Sequence, residues 1–140
     1  NIIMYQTYIL ILKLNKNLSI EIGKLGNVNF KRGFYIYIGS GKRNIEKRVE
    51  RHIKKVKNAH WHIDYLTLNK NFSIIEIYFI DKINECEVAE IFMKNNIAFI
   101  KNFGSSDCKC KSHLFYFENL KSLKSNIKTF KRRRFYEKTF

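Results

Sequence analysis

The sequence predicts an α+β fold: a small, mostly antiparallel sheet of three core strands, with extra hairpin strands near the N-terminus and helices flanking it. Three observations predict it. Runs rich in β-branched and aromatic residues recur at 5–14, 34–38 and 72–80. After the second run, Ile45, Val49, Ile53 and Val56 recur at helical spacing. The chain has 140 residues, enough for one core and a short extension. Strands first, then helices with a strand between them, read as α+β rather than alternating α/β.

The elements follow in order. Residues 5–14 form a strand, and Lys13 breaks the run well short of a membrane span. Residues 19–22 alternate, Gly23, Gly26 and Asn27 mark turns, and 28–30 give a short strand. Gly33 opens the strand at 34–38, which ends at Gly39-Ser40-Gly41. The first forty residues therefore predict an antiparallel meander. Asn44 is placed to cap the first helix, and 60–68 suggest a second, short one. In the strand at 72–80, strict alternation puts Ile75, Ile77 and Phe79 on one face and Ile74, Glu76 and Tyr78 on the other. Asn84 caps a third helix running to about Asn95, residues 104–107 form a loop, and 113–117 a last short strand. Beyond Glu118 the chain turns basic, with Lys121, Lys124, Lys128 and the run from Lys131 to Arg134. This divides it into a domain over 1–117 and a basic extension over 118–140, read as either a phosphate-binding arm or a solvated helix end.

Lys and Arg number 27 against 12 Asp and Glu, a net charge of +15. A solubilising surface mixes both signs, so this excess implies a polyanionic partner. No stretch reads as an amphipathic anchor, which ranks nucleic acid above membrane. Neither an apolar span nor a secretory-type segment is seen, so a cytoplasmic location is expected. Three cysteines in such a setting argue against a disulfide framework.

The chemistry gathers around Tyr35-Ile36-Tyr37-Ile38-Gly39-Ser40-Gly41-Lys42. Alternation places Tyr35, Tyr37 and Gly39 on one strand face, and Lys42 offers a charge for phosphate. On the next helix, Arg48 and His52 lie one turn apart, toward the apolar stripe, while Arg51 points farther out. A histidine there is commonly a satisfied core residue. An arginine at the edge of a buried face needs an anion, and phosphate suits it.

Tyr37-Ile38-Gly39 followed by Arg48-x-x-x-His52 resembles the GIY-YIG nuclease superfamily. The chain to about Phe117 is similar to its Uri-type branch. Carrying that likeness are Thr7-Tyr8, Gly26, Gly33, Tyr35 to Ser40, Arg51-His52, His60-Trp61-His62-Ile63-Asp64-Tyr65-Leu66, Cys86-Glu87 and the stretch from Ser106 to Leu114. The resemblance implies a GIY-YIG-like fold and metal-dependent endonuclease activity, with DNA favoured over RNA. It implies that Tyr8 and Tyr37 are the two motif tyrosines, one of which helps activate water. Arg48 would stabilise charge on the scissile phosphate, His52 would position water or phosphate, and Glu87 would hold a single Mg²⁺ or Mn²⁺. Glu85 and Glu90 are neighbours either of which can be the ligand instead. Lys42, Arg43, Arg51, His62, His113, Arg132, Arg133 and Arg134 are candidate nucleic-acid contacts. Gln6-Thr7-Tyr8 stands in place of the family's usual Gly-Ile-Tyr, and extra strands separate the two tyrosines.

His60, His62, Asp64, Cys108, Cys110 and His113 also suggest zinc, but Cys-x-Cys followed by a nearby His is not the usual pair spacing. The expectation is a loop whose cysteines pack as small apolar groups, without zinc at Cys108, Cys110 and His113. Trp61 is expected in the core, although it and Tyr65 are able to stack on bases. Two further readings compete with the nuclease: a nucleic-acid-binding module without turnover, and a zinc-dependent interaction domain.

Overall fold

β1 (Thr7–Leu14) is apolar at nearly every position, with no alternation. Such a run suits a strand covered on both faces. The computed structural model describes residues 6–41 and 44–138, and in it β1 is the central strand of five. Its neighbours are β4 (Gly33–Ser40) on one side and β5 (Phe72–Ile80) on the other. β6 (Leu114–Phe117) closes the β4 edge, β7 (Arg132–Glu137) closes the β5 edge, and every pairing is antiparallel.

The predicted meander is corrected at this point. β2 (Leu18–Glu21) and β3 (Asn27–Phe30) pair only with each other, as a separate hairpin between β1 and β4. The inserted strands leave β1 and β4 directly paired along their whole lengths.

Two cores sandwich the sheet. On one face Tyr8, Leu10 and Leu12 meet Val49 of α1 (Ile45–Ile53) and Ile63 and Leu66 of α2 (His62–Thr67), together with Ile22 and Phe30 from the hairpin. On the other, Ile9, Ile11, Ile36 and Ile38 meet Val88 and Phe92 of α3 (Glu85–Lys94) and Leu123 and Ile127 of α4 (Leu120–Ile127). Each such side chain taken from water contributes about 1.5–3 kcal/mol, which explains why a sheet this apolar sits between helices.

Four expectations change. A bulge at Ile75 breaks the alternation of β5, so Ile74 joins Ile77 and Phe79 while Ile75 faces the opposite core. Asn44 adopts a left-handed conformation and its side chain caps nothing. Val56 lies beyond the end of α1 and is 93% exposed. The segment expected as a basic arm instead folds onto the domain: α4 buries Leu123 and Ile127, and β7 hydrogen-bonds β5. No helix among the described residues is long and apolar enough to cross a membrane.

Candidate active site

Direct pairing of β1 with β4 sets Tyr8 opposite Gly39. The Tyr8 ring lies against that glycine so closely that a Cβ there would sit 2.1 Å from ring atom Cζ. Gly39 is thus the space the tyrosine occupies. Two residues earlier on the same face stands Tyr37, its ring centre 6.5 Å from that of Tyr8. The inserted hairpin does not separate the two tyrosines, because it leaves the sheet before they pair.

α1 crosses above this pair and carries His52, which is 1% exposed. His52 Nε2 lies 2.7 Å from Tyr8 Oη. Burial, reinforced by the Lys57 charge, lowers the His52 pKa to about 3, so the imidazole is neutral near pH 7. Its Nδ1 is buried without a hydrogen-bond partner. Burial and the neighbouring Tyr37 push the Tyr8 phenol well above its ordinary value, against the pull of Arg48. Tyr37 is also raised, first by its burial.

Arg48 donates from Nη1 to the Ser40 carbonyl at 3.1 Å, and its guanidinium lies 5.6 Å from the Trp61 ring centre. Its remaining donors have no protein carboxylate to meet among the described residues. Arg51 differs. It grips Asp64 with both Nη atoms, at 2.7 and 2.9 Å. The fully buried Asp64 also accepts the main-chain N–H groups of His60 and Trp61 at the start of α2. Burial alone would raise the Asp64 pKa, but the Arg51 and main-chain hydrogen bonds outweigh it and hold the group at about 2. Arg51 is therefore a clamp between α1 and α2, its guanidinium already held by a carboxylate. Trp61, expected in the core, is 37% exposed at the rim with both guanidiniums against it.

These groups line a cavity of ≈ 250 Å³ that also takes in Glu85, His62 and His113. Glu85 Oε2 is buried there and has no hydrogen-bond partner. Glu87 is exposed and does not line it. Its carboxylate accepts the Asn84 N–H at 3.2 Å while Asn84 Oδ1 accepts the Glu87 N–H at 2.9 Å. That reciprocal pair caps α3. Glu87, expected as the metal ligand, is thus held at the cap outside the cavity, whereas Glu85 lines it. Glu90 points away and pairs with Lys94 at 3.1 Å. The Asn84-x-x-Glu87 spacing is a capping signature, a signal in the sequence that could have made this distinction.

Residues 7–136 match the family described as "Domain of unknown function DUF123". The chain belongs to that family. The match runs through β7, so the basic segment up to Tyr136 falls within the family's span. No curated protein and no solved structure matches the chain.

The remaining candidates divide by their partners. His62 Nδ1 accepts the Gly104 N–H at 2.9 Å, which fixes the loop over the cavity. His113 lines the cavity but turns Nε2 toward Cys86 and Cys108. Arg132 donates to the carbonyls of Ile127, Lys128 and Phe130 at the end of α4, and Arg134 pairs with Glu137 at 2.9 Å. Register sets Gly39, Tyr8, Phe79 and Arg133 in one row across the sheet. Arg133, exposed and 5.1 Å from the Phe79 ring centre, thus extends the face that carries Tyr8. Lys42 and Arg43 lie outside the described residues.

Proposed function

We propose that this DUF123 chain is a metal-dependent endonuclease of the GIY-YIG type, hydrolysing phosphodiester bonds of DNA. One observation carries the reading: Tyr8, Tyr37, Arg48 and a carboxylate with an unpartnered buried oxygen, Glu85, converge on a single cavity. A buried unpaired acceptor costs on the order of 1–3 kcal/mol, a cost that a cation relieves. Mg²⁺ or Mn²⁺ fits, because such ions take oxygen ligands and often use few protein carboxylates. When bound, the ion would supply Lewis-acid polarisation of a phosphoryl oxygen.

The protein groups do the rest. Arg48 meets the charge that builds on the phosphate, since its unused donors face the cavity rim. Both phenols are pushed upward by burial, so neither serves as a standing tyrosinate. His52, neutral and 2.7 Å away, orients the Tyr8 phenol through Nε2, so that Tyr8 Oη positions the attacking water by a hydrogen bond. Tyr37 walls the other side of Tyr8 and limits its swing. Trp61 at the rim offers a face for a base, and Arg133 a charge for the neighbouring backbone. The net charge of +15 supports a nucleic-acid partner over a membrane, and three unlinked cysteines suit a reducing, cytoplasmic setting.

The test is incubation of the purified chain with labelled single-stranded, duplex and branched DNA, in Mg²⁺, Mn²⁺ or EDTA. Cutting is expected with either metal and not in EDTA. Arg48→Ala is expected to slow it by about 10²–10³-fold, the usual effect of losing one charge-stabilising donor. Salt-sensitive binding with no cutting of any substrate would identify a binding module that keeps the fold without turnover.

A further inference from the structure

Cys86, Cys108, Cys110 and His113 bring four ligand atoms within 4.8 Å of one another. The histidine Nε2 stands 3.5 Å from Cys108 Sγ and 4.0 Å from Cys86 Sγ. A tetrahedral zinc with bonds of roughly 2.0–2.3 Å sets its ligands about 3.5–3.8 Å apart, so the cluster needs only a small contraction. Cysteine spacing along the chain misses this site because the fourth ligand, Cys86, comes from the first turn of α3, far from the loop.

We propose that these four residues form a structural zinc site that fastens the loop over 104–113 to α3. The loop needs such a fastening. Its neck is closed by the His113 N–H to the Phe103 carbonyl at 2.8 Å and the Asn102 N–H to the Lys111 carbonyl at 2.7 Å. Between Phe103 and His113 the buried residues are two serines, Ser105 and Ser112, which contribute no apolar anchor. All three cysteines are unlinked. The His113 main chain accepts the Ile38 N–H at 2.9 Å, which anchors the histidine to β4. Lys109 and Lys111 flank Cys110 and offset the excess negative charge of three thiolates around one dication. Thiolates select zinc over Mg²⁺, and four protein ligands leave no open position, so the ion is structural. The clamp sets the frame of the neighbouring cavity, since Glu85 adjoins Cys86 and the His113 ring lines both. The proposal stands whether or not the cavity cuts DNA.

The full chain, produced with zinc present, is analysed for metal and for reactive thiols. Stoichiometric zinc is expected, and Co²⁺ exchanged into the chain should give the intense thiolate charge-transfer and tetrahedral d–d bands. Cys110→Ser and Cys86→Ser should each weaken zinc by more than the 10- to 100-fold typical of losing an outer-shell partner. A chelator should lower the melting temperature of the wild type and leave Cys110→Ser unmoved. If a variant does not fold, the wild-type zinc content and Co²⁺ spectrum still decide. A wild-type chain with no zinc and three freely reactive thiols, or with a disulfide among these cysteines, would overturn the proposal.

Discussion

Replacing Glu85 by Met removes the carboxylate whose Oε2 is buried without a partner in the cavity and leaves an apolar chain of similar length. In EDTA that change relieves on the order of 1–3 kcal/mol of uncompensated burial. It also forfeits a favourable acidic group in the first turn of α3, about 0.3–1 kcal/mol. The relief exceeds the loss, so the variant should melt higher than wild type, by about 2–4 °C per net kcal/mol. Glu87→Gln makes the contrast. Glu87 closes the reciprocal cap with Asn84, and weakening it costs about 0.3–1.5 kcal/mol, so that variant should melt lower. Added Mg²⁺ should reverse the first comparison. At a hundredfold excess over Kd a bound ion stabilises by about 2.7 kcal/mol, and Glu85→Met should lose that gain while Glu87→Gln keeps it. Calorimetric melts of the three proteins, each in EDTA and in Mg²⁺, give all six values. If Glu85→Met melts lower than wild type in EDTA, or gains as much from Mg²⁺, the reasoning fails.

Other outcomes follow from the same geometry. Gly39→Ala places a methyl 2.1 Å from the Tyr8 ring; displacing that buried ring should cost about 1–3 kcal/mol in urea unfolding and abolish the Tyr8–His52 contact. Asp64→Ala strands Arg51 and two main-chain N–H groups, and should destabilise the fold by about 3–5 kcal/mol by the same measurement. His52 has a folded pKa of about 3 against 6.5 unfolded, so the unfolded chain binds the extra proton between those values and stability falls as pH drops through that window. Wild type should lose up to about 1.4 kcal/mol per pH unit more than His52→Gln on going from pH 6.5 toward 4, and parallel profiles would refute the buried neutral imidazole. Arg133→Ala should reduce the slope of log binding constant against log salt for DNA by about one, whereas Arg51→Ala should leave that slope unchanged and lower stability.

Much of the layout is legible in the sequence because burial writes itself into composition. The apolar run from Tyr8 to Leu12 marks a strand, and the spacing of Ile45, Val49 and Ile53 marks α1. Arg48 and His52 were readable as inward-facing from helix geometry alone. What was not legible depends on contacts between distant segments. The bulge at Ile75 leaves no signature in a β-branched run, yet it exchanges the two faces of half a strand. The basic segment from Lys131 to Arg134 looks like an arm, because the first three residues of β7 are exposed and only Phe135 and Tyr136 pack on the core. Glu85 and Glu87 differ by two positions on a helix, about 200°, so a small error of assignment moves the carboxylate from the cavity to solvent. Cys86 joins Cys108, Cys110 and His113 only through packing of α3 against the loop.

The most direct measurement is the single-turnover cleavage rate of labelled DNA in Mg²⁺ for wild type, Glu85→Gln and Glu87→Gln. A cavity built on Tyr8, Tyr37, Arg48 and Glu85 predicts metal-dependent cutting that Glu85→Gln removes and Glu87→Gln retains within a few-fold. Undiminished cutting by Glu85→Gln, or loss of cutting in Glu87→Gln alone, would contradict it.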